Sequence, residues 1–504
     1  MTTRSCRWIL VTALLALAIP VSGTAAQQHY YKLIDIGTFG GPTSMLPGFA
    51  QVVNNRGIVV GQADTSTVDP NFPNCFNLDC YVSHAFQSWD RVLTDLGALP
   101  GGESSSAGWI NARGLVVGLS QNGVIDPLTG VPEVRAVLWE DGHITDLGTL
   151  GGNESASIAA NDRGQVIGVA LNAIPDPFSF FGATQTRAFL WEHGEMQDLG
   201  TLGGPDAFGQ YINDRGQVSG VSYISHTPNP STGVPTVDPF LWEKGKGMQD
   251  LGGLGGTQGQ VNDMNSQGQV VGTSNLAGDL FTHGFTWSKG VLTDVGTFGG
   301  DNSVADWVNN AGQVVGGAEV PGDQIHHAFV WQGGLLTDLG TVGSDPCSRA
   351  LGVNARGQVV GGSGDCSPGW IPFPGGFLHA FLWDDGASMI DLNTLVPPNS
   401  SLQLTVAFFV SDSGKIAGLG VPPGCLPQNV EVCGHAFLLV PCGEGEGGCT
   451  DEAVGNAFVH NLIERSEVSA RTIPSPLTSP AYRYRMSGLD AGPLGTRRFG
   501  IRRP

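Results

Sequence analysis

Charge is scarce in this 504-residue chain, with Asp, Glu, Lys and Arg together making up 14% of it. The 24 basic residues are outnumbered by 45 acidic ones, for a formal net charge of −21. Such a surface repels nucleic acid and anionic membranes and mainly favours solubility. Clear helical periodicity is missing too, which argues against a helical bundle or coiled coil. The longest apolar run, Trp8 to Ile19, falls short of the ~20 residues that span a bilayer, so no membrane span is expected. Also absent are G-x-S-x-G, H-E-x-x-H, a Walker loop and C-x-x-C, the spacings that build nucleophile, zinc, phosphate and redox sites. The sequence therefore offers no catalytic residue, no metal site and no cofactor.

Residues 1–26 are expected to be a secretory signal peptide. Arg4 and Arg7 precede the apolar run, Pro20 breaks it, and small residues follow up to Ala26, the layout of a cleavable leader. Cys6 lies ahead of the apolar run, away from where a lipoprotein cysteine would stand. The implied location is secreted, either extracellular or periplasmic. The other eight cysteines form neighbouring pairs: Cys75 with Cys80, Cys347 with Cys366, Cys425 with Cys433, and Cys442 with Cys449. In an oxidising compartment these read as four local disulfides, in preference to zinc sites.

What the chain has in abundance is glycine, 76 residues, about twice the usual ~7%. Much of it belongs to a repeat. The phrase N-x-x-G followed by an apolar run has its Asn at 54, 111, 161, 213, 265, 309 and 354, with Ser411 in the eighth copy. An aromatic phrase ending F-L-W or similar recurs eight times, from Phe86–Trp89 to His435–Val440. A D-L-G phrase recurs at Asp35, 95, 146, 198, 250, 294, 338 and 391. Asn-x-x-Gly suits a tight turn because Asn and Gly tolerate left-handed backbone. Each unit then supplies four short strands, the content of one propeller blade. The expected fold is all-β: a β-propeller of eight four-stranded blades over residues 30–440. A seven-bladed propeller and a β-solenoid are the alternatives. The first D-L-G strand precedes any N-x-x-G strand, and the last aromatic strand has no D-L-G strand after it. Pairing those two would close a ring and remove two exposed sheet edges.

H-A-F-L-W, I-N-D-R-G-Q-V and D-L-G-T-L-G-G resemble the bacterial extracellular HAF-repeat proteins, over about residues 31 to 440. The resemblance implies a secreted, propeller-like β-repeat protein and carries no catalytic residue. Arg135, Arg187 and Asp238 replace the His of the motif, and Pro239 and Gly284 replace its Ala. Those departures favour a structural hydrogen bond over a metal site for the histidines. No copy of the Asp phrase has calcium-loop spacing, so each Asp is expected to cap a turn. Phe and Trp of each aromatic phrase are expected in the core, with Trp191→Ala costing ~3–5 kcal/mol.

Function, if written anywhere, falls in the loops that vary between copies. The connection from second to third strand is long in several units and carries Phe72, Phe76 and Tyr81; Phe178, Phe180 and Phe181; and Trp370, Phe373 and Phe377. These aromatics are candidate ligand contacts, unless they only pin their own loops. The segment 441–504 reads as a Gly-rich link and a basic, mostly disordered tail, with eight arginines after Asn461. The expected function is a monomeric, non-enzymatic secreted scaffold that binds a polysaccharide or cell-surface protein through its long-loop face. The alternative is an extracellular propeller hydrolase or lyase using acidic residues at the channel mouth.

Overall fold

The computed structural model describes residues 31–442, apart from 49, 73, 78, 128–129, 182–183, 323–324, 367–375, 385 and 387. The expected signal peptide and basic tail lie outside the described residues, as do Cys449, Trp370 and Phe373. The chain folds as a β-propeller. Six antiparallel four-stranded sheets stand beside one eight-stranded sheet, whose two four-stranded halves meet at a single parallel bridge between Val237 and Gln258.

One unit shows how the repeat builds its strands. Gly151–Ala160 runs to the Asn161 turn, Val166–Pro175 returns, Thr184–Glu192 follows a longer loop, and Glu195–Asp198 forms the outer edge. A register shift between Ser157 and Ala159 puts a bulge in the first strand, which the sequence pattern did not disclose. Beside the bulge stands a Gly, the third residue of each second strand. A Cβ on Gly168 would sit 2.0 Å from the Ala156 carbonyl oxygen, so no larger residue fits.

The ring closes as the ends of the repeat suggested. Tyr31–Asp35 pairs antiparallel with His435–Pro441, from Tyr31 opposite Pro441 to Asp35 opposite Phe437. That strand completes the sheet of Gln403–Val410 and Ile416–Val421, so the last sheet is built from both ends of the array.

Packing between sheets rests on the aromatic phrase. Phe86, Phe189, Phe240, Phe285, Phe329, Phe381 and Phe437 are all fully buried, with Val137 in the second unit. The Trp two residues on is less uniform: Trp139, Trp242 and Trp287 are buried but Trp191 only half-buried, and in the first unit Ser88 takes that place, leaving Trp89, one residue further, 53% exposed. The ~3–5 kcal/mol cavity cost therefore belongs to Phe189, and Trp191→Ala should cost less.

Serines in the first strands add a second tie. Ser44, Ser105, Ser155, Ser303 and Ser348 each accept, through Oγ, the backbone N–H of the Ala (or Gly284) in the preceding unit's aromatic phrase, at 2.9–3.0 Å. In the fourth unit that residue is Pro239, which has no N–H, and its partner is Gly259 rather than Ser. A Cβ on Gly259 would lie 2.5 Å from Pro239 Cδ. Donor and acceptor are lost together.

Three disulfides form as their spacing implied: Cys75–Cys80, Cys347–Cys366 and Cys425–Cys433. For the fourth expected pair, Cys449 falls outside the described residues.

Candidate functional site

The repeated polar residues are consumed by the architecture. All eight Asp residues of the D-L-G phrase accept a backbone N–H two residues on, at 2.7–2.9 Å, as in Asp198 with Gly200 and Asp391 with Asn393. His84, His283 and His327 then pair with Asp95, Asp294 and Asp338 in the same sheet at 2.7–2.9 Å, and His435 pairs with Asp35 across the ring closure at 3.0 Å. Arg187 replaces His and keeps the pairing, to Asp198 at 3.0 Å. Arg135 turns instead to Glu133 and His379 to Asp345. Asp238 faces a like charge: burial and then Asp250 push its carboxyl up to about 6. Among the described residues no three His, Cys, Asp or Glu gather as metal ligands.

The Asn of each N-x-x-G turn does two jobs. Asn161 Oδ1 accepts the N–H of Arg163 and Gln165, both at 3.1 Å, while Nδ2 donates to the Asn213 carbonyl of the next unit at 3.0 Å. The same step joins Asn54 to Asn111 and so on through Asn354 to Ser411, seven links of 2.9–3.3 Å. At the eighth position Ser411 has no amide, and Lys415 Nζ reaches the Asn55 carbonyl at 3.2 Å instead. The asparagines thus form a belt around the channel, on the face of the tight hairpins.

The opposite face carries the long loops. Of the candidate contacts there, Phe76, Phe181 and Phe377 are buried, at 0%, 6% and 6% exposure. Phe178, Phe180 and Tyr81 are half-buried, and Phe72 is 48% exposed. Phe180 and Phe181 lie against Tyr223 and Phe208 of the next unit, with centroids 4.5 and 5.5 Å apart. Tyr223 also donates to the Phe178 carbonyl at 3.0 Å. These rings hold their own loop down. Beneath it lies Asp206, which accepts from Phe180 N and Thr186 N and is pushed by burial to about 8. What this face does expose is mainly aliphatic: Val124, Ile125 and Ile174 at the ends of second strands, and Leu280, Ile325 and Leu426 in loops, with Leu280 at 78%. Sequence reasoning looked for aromatics and passed over these. Their signal was one or two apolar residues within an otherwise polar stretch from the end of the second strand to the start of the third.

The channel holds a cavity of about 270 Å³ that takes lining residues from every unit and opens at the Asn belt. Its walls come from the position two residues before each belt residue. Trp109, Tyr211, Asp263, Trp307 and Phe409 stand there and line the cavity, while Val52, Ala159 and Gly352 occupy the other three copies. The small residues alternate with large ones, so rings two units apart can meet. Trp109 and Tyr211 do so edge-on at 6.2 Å across Ala159, and Trp307 and Phe409 at 5.8 Å across Gly352. Asp263 separates the two pairs; it accepts the Val308 N–H at 2.8 Å, and burial raises its carboxyl to about 7. The Tyr211 phenol is held well above its ordinary value by burial, then by Asp263 and Asp306. Asp306 itself forms a fully buried two-pronged pair with Arg349, both bonds 2.7 Å.

No family model matches the sequence, and no curated protein matches it. Among solved structures, the chain is similar to the β-propeller domain of the Trilobed protease from Pyrococcus furiosus, at 10% identity and a TM-score of 0.40, over 73% of this chain and 97% of that one. It is also similar to an acylaminoacyl peptidase from Pyrococcus horikoshii at 12% identity, TM-score 0.39, over 78% and 58%. A Trypanosoma rangeli sialidase in complex with the inhibitor DANA matches at 10% and 0.32, over 81% and 59%. Likeness at this level does not extend to a shared site.

Proposed function

We propose that this chain is a secreted, non-enzymatic HAF-repeat propeller of eight blades that binds a protein partner through its long-loop face. The observation that carries this reading is the set of exposed aliphatic side chains on and beside that face's loops, with Leu280 78% exposed beside Phe281 at 39%. Scattered aliphatics suit a protein surface better than a glycan, because sugars stack on flat rings and most rings here are turned inward. Cys75–Cys80 and Cys425–Cys433 brace two of these loops, which lowers the ordering cost of binding. The disulfides also support export. Among the described residues no helix is long and apolar enough to cross a membrane.

The test is site-specific photo-crosslinking on intact cells of the source organism. A probe at Leu280 should capture a discrete partner that Ile174→Glu abolishes, while a probe at Trp89, on the hairpin side, should not. Equal capture at both positions would sink the reading. A glycan ligand would show instead as polysaccharide retention lost on Phe72→Ala.

The alternative, an extracellular hydrolase or lyase, draws on Asp263 in the channel cavity, whose carboxyl sits near 7 as a general acid's would. Turnover of a polysaccharide or chromogenic glycoside that disappears in Asp263→Asn would establish it.

A further inference from the structure

The channel cup opens on the other side of the disc from the long loops, and one of its charges has no partner in the fold. Two carboxylates are buried in the channel, on neighbouring units. Asp306 has its counter-ion within the chain, the Arg349 guanidinium, through two bonds of 2.7 Å. Asp263 has none. It is 5% exposed, lines the cup, and is met by an uncharged donor, the Val308 N–H at 2.8 Å. Taking a carboxylate out of water without a counter-charge is costly. The repeat does not require it, since Ala159 and Gly352 hold the same position in strands that fold alike. We propose that the cup binds a small organic ammonium ion, whose charge pairs with Asp263 and whose apolar body lies among the aromatic side chains.

The rest of the lining selects the same class. Asp162, Asp214 and Asp412 stand at the mouth, each fixed there by accepting through Oδ1 a backbone N–H of the preceding unit at 2.9 Å. Among the described residues no Lys, Arg or His lines the cup. The nearby turn arginines are engaged along the rim: Arg163 donates to Gln165, Arg215 to the Gln267 carbonyl, and Arg56 lies over the Trp89 ring at 5.9 Å. A mouth lined by one sign of charge concentrates cations and turns anions away.

Aromatic side chains and size decide which cation. Trp109, Tyr211, Trp307 and Phe409 line the cup, and aromatic rings attract ammonium groups as well as packing against their alkyl substituents. A calcium ion would need six to eight oxygens around one point. The carboxylates here come from four different units, and no three acidic, His or Cys side chains gather among the described residues. The volume, about 270 Å³, lies just under the ~300–1,000 Å³ of pockets for drug-sized ligands, which limits the guest to a small molecule or one side chain. A neutral guest of the same shape would leave Asp263 without a counter-charge, so charge should decide between the two.

The full-length protein is titrated with choline and with butylammonium, followed by calorimetry and tryptophan fluorescence. The controls are 3,3-dimethylbutan-1-ol, the uncharged carbon analogue of choline, and calcium chloride. At least one ammonium probe should bind one-to-one, and choline should bind at least roughly tenfold more tightly than the alcohol. Asp263→Asn, which removes the charge and keeps the shape, should abolish that preference. Asn55→Trp, at an exposed rim position, should block binding while thermal unfolding stays at the wild-type temperature, a second test that does not alter the cup wall. A free amine and a lysine side chain share this chemistry: tighter binding of Nα-acetyl-lysine methylamide than of butylammonium would assign the guest to a protein, and the reverse to a free amine. Leu280→Glu should leave choline binding unchanged, so the two faces fail or succeed separately. Absence of binding by every ammonium probe, equal binding of the alcohol or of calcium, a choline preference that survives Asp263→Asn, or binding unaffected by Asn55→Trp would each overturn the proposal.

Discussion

The belt of asparagines gives the sharpest test of how this fold is held together. Asn161 is 4% exposed and makes four hydrogen bonds: to Arg163 N and Gln165 N (both 3.1 Å), to Gln165 Oε1 (2.8 Å) and to the Asn213 carbonyl (3.0 Å). Truncation to Ala would leave the Arg163 N–H to water, since that residue is exposed, and would strand the buried Gln165 N–H, while Gln165 Oε1 would keep its bond from Arg163 Nη2 and Nε2 its bond to Glu192. The Asn213 carbonyl would keep its bond from Gly216 N. At ~1–3 kcal/mol for a buried group left unpaired, Asn161→Ala should cost ~1–3 kcal/mol. Asn161→Asp separates the two jobs. The introduced carboxylate still accepts the turn's N–H groups but faces the Asn213 carbonyl and Gln165 Oε1 without a proton. It should cost ~1–2 kcal/mol at neutral pH, a deficit that shrinks on acidification as the carboxyl regains a proton to donate. Urea unfolding followed by tryptophan fluorescence measures both. An Asn161→Ala change within ~0.5 kcal/mol of wild type, the range of ordinary surface substitutions, would refute the belt as a stabilising device.

Further outcomes follow from the pairings between strands. The hydrogen bond that His84 donates to Asp95 raises its imidazole above the ordinary 6.5 against the opposing effect of burial. The stability from that pair is complete below about 6.5 and lost as pH rises through the raised value; His84→Gln should flatten the fall in thermal stability between about pH 6 and 8, and an unchanged slope would refute it. Asp95 shifts the other way. Burial disfavours its charge, but His84 and the Gly97 N–H outweigh burial and hold it below 3.8, so that stability is lost only as pH falls through the lowered value. Cys366→Ser should lower stability by ~3 kcal/mol in non-reducing urea titrations, the worth of a loop spanning about 20 residues, and make no difference in reductant. Gly259→Ser should be destabilising because its side chain would meet Pro239 Cδ, while Pro239→Ala with Gly259→Ser restores the serine tie used elsewhere. Thermal melts of the three proteins should therefore be non-additive, and a double variant no better than Gly259→Ser would remove the explanation.

The residues that repeat made the fold legible. Asn, Phe, Asp and Gly recur at fixed offsets, and each proves to have one partner repeated around the ring, so periodicity alone announced the strands, the turns and the closing strand 31–35. The first-strand bulge was hidden because its extra residue, Ile158, has a counterpart in other units and so leaves no irregularity in the repeat. Its trace was the Gly at 168 and equivalents, which reads as a strand-breaking residue until the Ala156 carbonyl is seen against it. The site was less legible for a related reason. Sequence reasoning gave weight to aromatic residues in loops, but a loop aromatic such as Phe181 lowers its free energy by finding Phe208 in the next unit, and burial of that kind has no sequence signature.

The channel position shows how a repeat architecture makes room for chemistry. A copy-by-copy identical residue there would either leave the axis open, if small, or collide with its seven equivalents, if large. Alternation solves this: Ala159 and Gly352 give way so that Trp109 can reach Tyr211 and Trp307 can reach Phe409. Packing alone, however, would be served as well by an apolar residue at position 263. It gives no reason to set Asp263 between the two ring pairs, where burial drives its carboxyl to about 7. A plug that retains a buried carboxylate there gives up packing and desolvation energy that an apolar residue would keep.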